Sequence, residues 1–165
     1  MDNSIISASV LPIPSPLTTL SYIINKTGPV VRFVSCEDKS QVIINKFRDY
    51  YSGQIVQNWN VKLDLSNLKP FTRRVLQYVY TIPYGEVKTY GEIACALGQP
   101  GAARAVGQAL SVNPLPLIIP CHRVVAQNGP GGFSAPGGVK TKLEMLEMER
   151  MVINSNQKDE TIHDS

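Results

Sequence analysis

Histidine and cysteine are scarce in this chain of 165 residues. It has two histidines, His122 and His163, and three cysteines, Cys36, Cys95 and Cys121, with no Cys-x-x-Cys pair. That spacing excludes a disulfide framework and leaves no ligand cluster for structural zinc, so no metal is expected. Long apolar runs are missing too. No stretch approaches the roughly 20 residues that cross a bilayer, which argues against a membrane protein. Basic residues are absent from Met1–Leu17, which holds Asp2 and three prolines, so this segment does not read as a signal peptide and a cytoplasmic protein is expected. A hydrophobic content of 43% with 18% charged residues excludes global disorder.

Acid is lacking in one place in particular. Residues 69–123 carry Lys69, Arg73, Arg74, Lys88, Arg104 and Arg123 against only Glu86 and Glu92, a local excess of +4 within a net charge of +3. A basic middle flanked by near-neutral and acidic segments suits a polyanionic partner.

The pattern predicts an α+β fold in two parts. Over residues 1–68, Thr18–Ile24 and Val30–Ser35 read as a hairpin about Asn25-Lys26-Thr27-Gly28, the basis of a short antiparallel sheet. Lys39–Tyr51 reads as a helix with Val42, Ile43, Phe47 and Tyr50 or Tyr51 toward one face, and Trp59–Leu65 as a half-buried strand. Residues 69–152 form a mainly helical domain. Pro70 suits the first turn of a helix whose stripe is Phe71, Val75, Leu76 and Val79, and Pro83-Tyr84-Gly85 ends it. Thr89-Tyr90-Gly91-Glu92 is a capping box opening a second helix through Leu97. Gly98-Gln99-Pro100-Gly101 turns the chain into a third, from about Ala102 to Ser111. Helix, tight turn and helix together predict a helix-turn-helix. Ala102, Ala105, Val106, Ala109 and Leu110 point the third helix's stripe to the core, leaving Arg104, Gly107, Gln108 and Ser111 outward, a small polar face that another surface can approach closely. The polar residues 153–165 are expected to be disordered.

The chemistry gathers after that helix. An apolar run bounded by prolines, Pro114 to Pro120, is expected to run extended and buried and to deliver Cys121-His122 at its end. Cysteine beside histidine is a recurring source of a nucleophilic thiolate, because imidazole can take the thiol proton. Cys36 and Cys95 read as small buried hydrophobes. Gly129–Gly132 supplies a candidate lid. Val139, Leu143 and Leu146 read as the buried stripe of a C-terminal helix with Glu147 at its border, a candidate to orient His122.

The string Ile118-Ile119-Pro120-Cys121-His122-Arg123-Val124-Val125, preceded by Asn113-Pro114 and the helix Ala102-Ala103-Arg104-Ala105-Val106-Gly107, resembles the active-site region of the O6-alkylguanine-DNA alkyltransferase family. The resemblance runs from about Phe71 to Glu147. It implies direct-reversal repair: one irreversible transfer of an alkyl group from O6-alkylguanine, and O4-alkylthymine, in double-stranded DNA to Cys121, without a cofactor, by a monomer. It also implies roles. His122, through a water, and Glu147 would form the thiolate, and Tyr90 would donate a proton to the leaving base. Arg104 would fill the gap left by the flipped nucleotide, on a helix lying in the minor groove, with Ala105, Gly107, Gln108, Ser111 and Arg123 also on the DNA side. Asn113 would fix the turn before the cysteine, while Pro116, Val124, Phe133 and Ser134 would line the base pocket. The sequence departs from the family pattern at Ala135-Pro136-Gly137-Gly138, where most relatives have a glycine pair or a shorter link. The competing functions are a lesion-binding protein that repairs nothing, a helix-turn-helix regulator and a cysteine hydrolase. Lesion-binding relatives lack the acceptor cysteine, and the third helix is short of base-reading side chains.

Overall fold

A computed structural model describes residues 40–60 and 63–162 of the chain. The hairpin expected over residues 18–35, and Cys36 with it, lie outside the described residues.

Helix α1 (Ser40–Tyr51) buries Phe47 and Tyr50, while Val42 and Tyr51 face out. Phe47 packs against Trp59, ring centroids 4.9 Å apart, which turns the following segment back onto α1. Of the expected strand at Trp59–Leu65, the described part keeps only a bridge at Leu63. The alternation is broken at Asn60, whose φ of +51° lies in the left-handed region.

Helix α2 (Pro70–Tyr80) starts with proline in its first turn, where a missing N–H costs nothing, and fully buries Val75, Leu76 and Val79. A two-residue strand β1 (Lys88–Thr89) leads directly into α3 (Tyr90–Ala96). Both halves of the capping box form there: Thr89 Oγ1 accepts from Glu92 N at 3.1 Å, and Glu92 Oε2 accepts from Thr89 N at 2.6 Å. Gly98 and Gly101, with φ of +72° and +90°, make the turn into α4 (Ala103–Ser111). Helix α4 packs against both α2 and α3, burying Val106, Ala109 and Leu110, which completes the helix-turn-helix. Cys95, expected inside, is exposed on α3.

The sheet among the described residues is parallel. Strand β2 (Val124–Val125) pairs with β1 in the register Lys88 to Val124 and Thr89 to Val125. This pairing puts the segment after Cys121 beside the start of α3.

Helix α5 (Gly138–Ile162) closes the molecule. It differs from expectation in register and in length. Val139 and Leu143 are exposed, and the buried face is Thr141, Lys142, Met145 and Glu149. Instead of ending before a disordered tail at Ile153, the helix continues to Ile162, and Ile153 stands against Gly85 in the loop before β1. Among the described residues no helix is long and apolar enough to cross a membrane.

Candidate active site

The approach to Cys121 is a pinned turn. Instead of running extended, residues 115–119 fold back through a hydrogen bond from Ile119 N to Leu115 O at 2.8 Å. Leu117 takes a φ of +75°, a conformation costing a leucine on the order of 1–3 kcal/mol, so the surroundings must enforce it. Asn113 does so. Its Nδ2 donates to Ile119 O at 2.9 Å and its Oδ1 accepts from Leu115 N at 3.0 Å, clamping both ends of the turn from a buried position. Cys121 then opens a 3-10 turn (Cys121–Arg123), its N–H bonded to Ile119 O at 2.7 Å.

The 3-10 turn splits three neighbours between two environments. Cys121 is partly exposed in the wall of an open cleft of about 750 Å3. Helix α4 lines one side of this cleft with Arg104, Gly107, Gln108 and Ser111. Gly132, Phe133 and Ser134 line it as well. Tyr90 contributes its ring, and its hydroxyl donates to Gly132 O at 3.3 Å. Burial and then the charge of Cys121 raise the Tyr90 pKa, against a lowering by the Gly132 contact, so the phenol stays a proton donor. Gly131 has to be glycine on two counts: φ is +71°, and a Cβ would stand 2.9 Å from the Tyr90 hydroxyl.

His122 and Arg123 point the other way, into a fully buried charge cluster. His122 Nε2 lies 2.8 Å from Glu149 Oε1. Arg123 donates from Nε to Oε2 at 2.9 Å and from Nη2 to Oε1 at 2.9 Å, and Gly85 N donates to Oε2 at 3.0 Å. Burial alone would raise the Glu149 pKa, but the hydrogen bonds and charge of His122 and Arg123 outweigh it and take it down to about 2. An ionised carboxylate can only accept, so Nε2 of His122 carries a hydrogen and Nδ1, which has no protein partner, keeps the lone pair. Burial lowers the His122 pKa more than Glu149 raises it.

Several expectations need correction. Glu147 does not meet His122: it pairs with Arg150 at 2.8 Å on the surface. Glu149, two residues on, occupies the buried position because the inward face of α5 runs through Lys142 and Met145 rather than Val139 and Leu143. Arg123 is buried rather than on the surface where the resemblance placed it. Its guanidinium is enclosed between Glu149, the Ile82 carbonyl at 2.8 Å and the Tyr84 ring. Val124 is fully buried, and its carbonyl accepts from Lys142 Nζ at 2.5 Å. Of the remaining expected residues, Ala105, Asn113 and Pro116 do not line the cleft.

Sequence reasoning also missed Lys142. It is the buried lysine of α5, and its Nζ reaches both Val124 O and, at 3.1 Å, Gly132 O, joining the two sides behind Cys121. Burial brings its pKa down to about 8, against the charge of Cys121. The signal available was helical spacing: Lys142, Met145 and Glu149 fall at i, i+3 and i+7.

Residues 70–151 match the model of the 6-O-methylguanine DNA methyltransferase DNA-binding domain. A methylated-DNA–protein-cysteine methyltransferase of Sulfolobus acidocaldarius is 41% identical over 150 residues, covering 86% of this chain and 92% of that protein. The chain belongs to the O6-methylguanine DNA methyltransferase family. Other members agree over a smaller share of the chain. A relative of the same name from Mycobacterium leprae is 44% identical over 108 residues, covering 65% of this chain and 63% of that protein. The crystal structure of the Mycobacterium tuberculosis family member in complex with DNA is 40% identical, with a TM-score of 0.60 over 66% of each chain. The Pyrococcus kodakaraensis O6-methylguanine-DNA methyltransferase is 29% identical, with a TM-score of 0.55 over 79% of this chain and 73% of that one.

Proposed function

We propose that this chain repairs O6-alkylguanine in double-stranded DNA, and O4-alkylthymine by the same chemistry, by moving the alkyl group onto Cys121 once and irreversibly. One observation carries the reading. A partly exposed cysteine sits in a cleft between the outward face of a helix-turn-helix and a glycine-rich loop, with a buried histidine–carboxylate pair behind it. The relatives' names supply the substrate class.

A base stacked in a duplex cannot present its O6 alkyl carbon to a nucleophile, so the nucleotide must leave the stack at a cost of a few kcal/mol. Gly107 lets α4 approach DNA closely, and the exposed Arg104 beside it can occupy the vacated space and neutralise phosphate charge. In the cleft, the Cys121 sulfur attacks the alkyl carbon. The thiol proton passes through a bound water to His122 Nδ1, which Glu149 keeps as the free acceptor by holding the hydrogen on Nε2. The C–O6 bond breaks and its electron pair stays with guanine, to which the neutral Tyr90 hydroxyl donates a proton. The product is a thioether, and no group in the cleft can cleave a carbon–sulfur bond, so the acceptor is consumed.

The test is mass spectrometry of the protein after incubation with duplex DNA carrying O6-methylguanine. One methyl increment on the Cys121 peptide is expected. Methyl groups removed should plateau at one per protein molecule in any substrate excess, with or without EDTA. An unmodified Cys121, or multiple turnover, would overturn the reading.

A further inference from the structure

Not every donor to Glu149 is used by the mechanism above. Tyr50, fully buried on α1 and outside the family-model match, donates its hydroxyl to Glu149 Oε1 at 2.8 Å and lies 3.4 Å from His122 Nε2. We propose that Tyr50 is a positioning residue of the thiolate-forming relay, whose hydroxyl holds the Glu149 carboxylate and keeps His122 neutral. This rests on the reading of Cys121 as the alkyl acceptor.

The argument is competition for one oxygen. Glu149 Oε1 accepts from Tyr50 Oη, from His122 Nε2 at 2.8 Å and from Arg123 Nη2 at 2.9 Å. Each further donor draws off negative charge, so the oxygen stabilises an imidazolium less. Groups facing His122 come from several elements: Glu149 and Lys142 from α5, Arg123 from the 3-10 turn, Tyr50 from α1, and Tyr84, from the loop before β1, beside Tyr50. Arg123 and Lys142 already oppose a proton on His122, and Glu149 alone among them favours one. Tyr50 therefore weakens the single attraction that would protonate the base. The tyrosine is built to stay. Its ring packs edge-on against His122, centroids 6.4 Å apart, and against Tyr84 at 5.8 Å. Burial and then Glu149 hold its phenol pKa far above the ordinary value, so it donates at any working pH.

The chain's two histidines make the test direct, since 15N-histidine spectra contain only His122 and His163. Tyr50→Phe removes the hydroxyl and leaves the ring. The His122 titration midpoint is expected to rise by about half to one pH unit, His163 staying fixed, and the acid limb of the methyl-transfer rate should rise with it. A packing defect would instead lower the rate at every pH without moving either midpoint. Should Tyr50→Phe fold poorly, 3-fluorotyrosine placed at position 50 keeps ring and hydroxyl but donates more strongly, and the midpoint should then fall. An unchanged His122 midpoint in either protein overturns the proposal. Absence of methyl transfer in the unsubstituted protein would instead overturn the reading of Cys121, while the His122 midpoint still reports on Tyr50.

Discussion

Glu149 decides what His122 can do. With both oxygens engaged by five donors from Tyr50, Gly85, His122 and Arg123, it fixes the imidazole tautomer and compensates a buried guanidinium at once. Glu149→Gln should therefore lower methyl transfer about a hundredfold or more and reduce stability by about 3 kcal/mol, the second because Arg123 loses its carboxylate. Glu147→Gln, which breaks only a surface pair with Arg150, should leave both rate and melting temperature where they were. Single-turnover rates and thermal melts of the two variants check this. Equal effects would mean that the buried cluster is not part of the relay. The misassignment of this glutamate in the sequence has a physical origin. Apolar residues usually mark a helix's inward face, but in α5 that face includes a lysine and a glutamate whose partners lie elsewhere in the chain, while Val139 and Leu143 face out. Those partners, Arg123 and the Val124 and Gly132 carbonyls, are visible only once the fold brings them together. Cys121 and His122 were legible because an adjacent cysteine–histidine pair is a local pattern, whereas the role of Tyr90 came only from the family resemblance.

At the scale of elements, the helix-turn-helix was readable almost residue by residue. Its determinants are the Thr89–Glu92 box, the Gly98 and Gly101 turn and the Val106, Ala109, Leu110 stripe, all set by local chemistry. The turn before Cys121 was not legible from periodicity, which reads the run as extended, because the fold-back depends on Asn113 reaching Ile119 across six residues and on a leucine held at positive φ. Only the family resemblance pointed to Asn113. These two elements meet at the cleft, which α4 lines with Arg104 and into which the turn delivers Cys121. Arg104→Ala separates their contributions. Transfer from lesion-bearing duplex should fall at least about tenfold more than transfer from free O6-benzylguanine, since a free base needs no unstacking and the chemistry at Cys121 is untouched. Paired rate measurements on the two substrates decide it. Losses of equal size would assign Arg104 to shaping the cleft rather than to opening the duplex.

Across the whole molecule, the charge cluster behind Cys121 is where separate parts of the chain converge. Helix α1 sends Tyr50, the loop before β1 sends Gly85 N, the 3-10 turn sends His122 and Arg123, and α5 sends Glu149. Titrating this cluster should therefore loosen the fold as a unit, and the direction follows from the two shifts. The Glu149 carboxyl, at about 2 in the folded chain against about 4.3 unfolded, contributes about 3 kcal/mol that is present above the unfolded pKa. That contribution is lost as pH falls from about 4.3 to 2. His122 acts earlier in the same direction. Its folded pKa is lowered by burial, so below about 6.5 the unfolded chain takes up a proton that the folded one refuses. Stability should thus decline in two stages on acidification, gently below about pH 6.5 and steeply below about 4.3. Urea unfolding midpoints measured from pH 7 to 3 give both stages. His122→Asn should remove the first and Glu149→Gln the second, at a lower starting stability in each case. A protein whose midpoint holds constant down to pH 3 would show that the carboxylate and the imidazole are not locked together in the way the 2.8 Å contact between them requires.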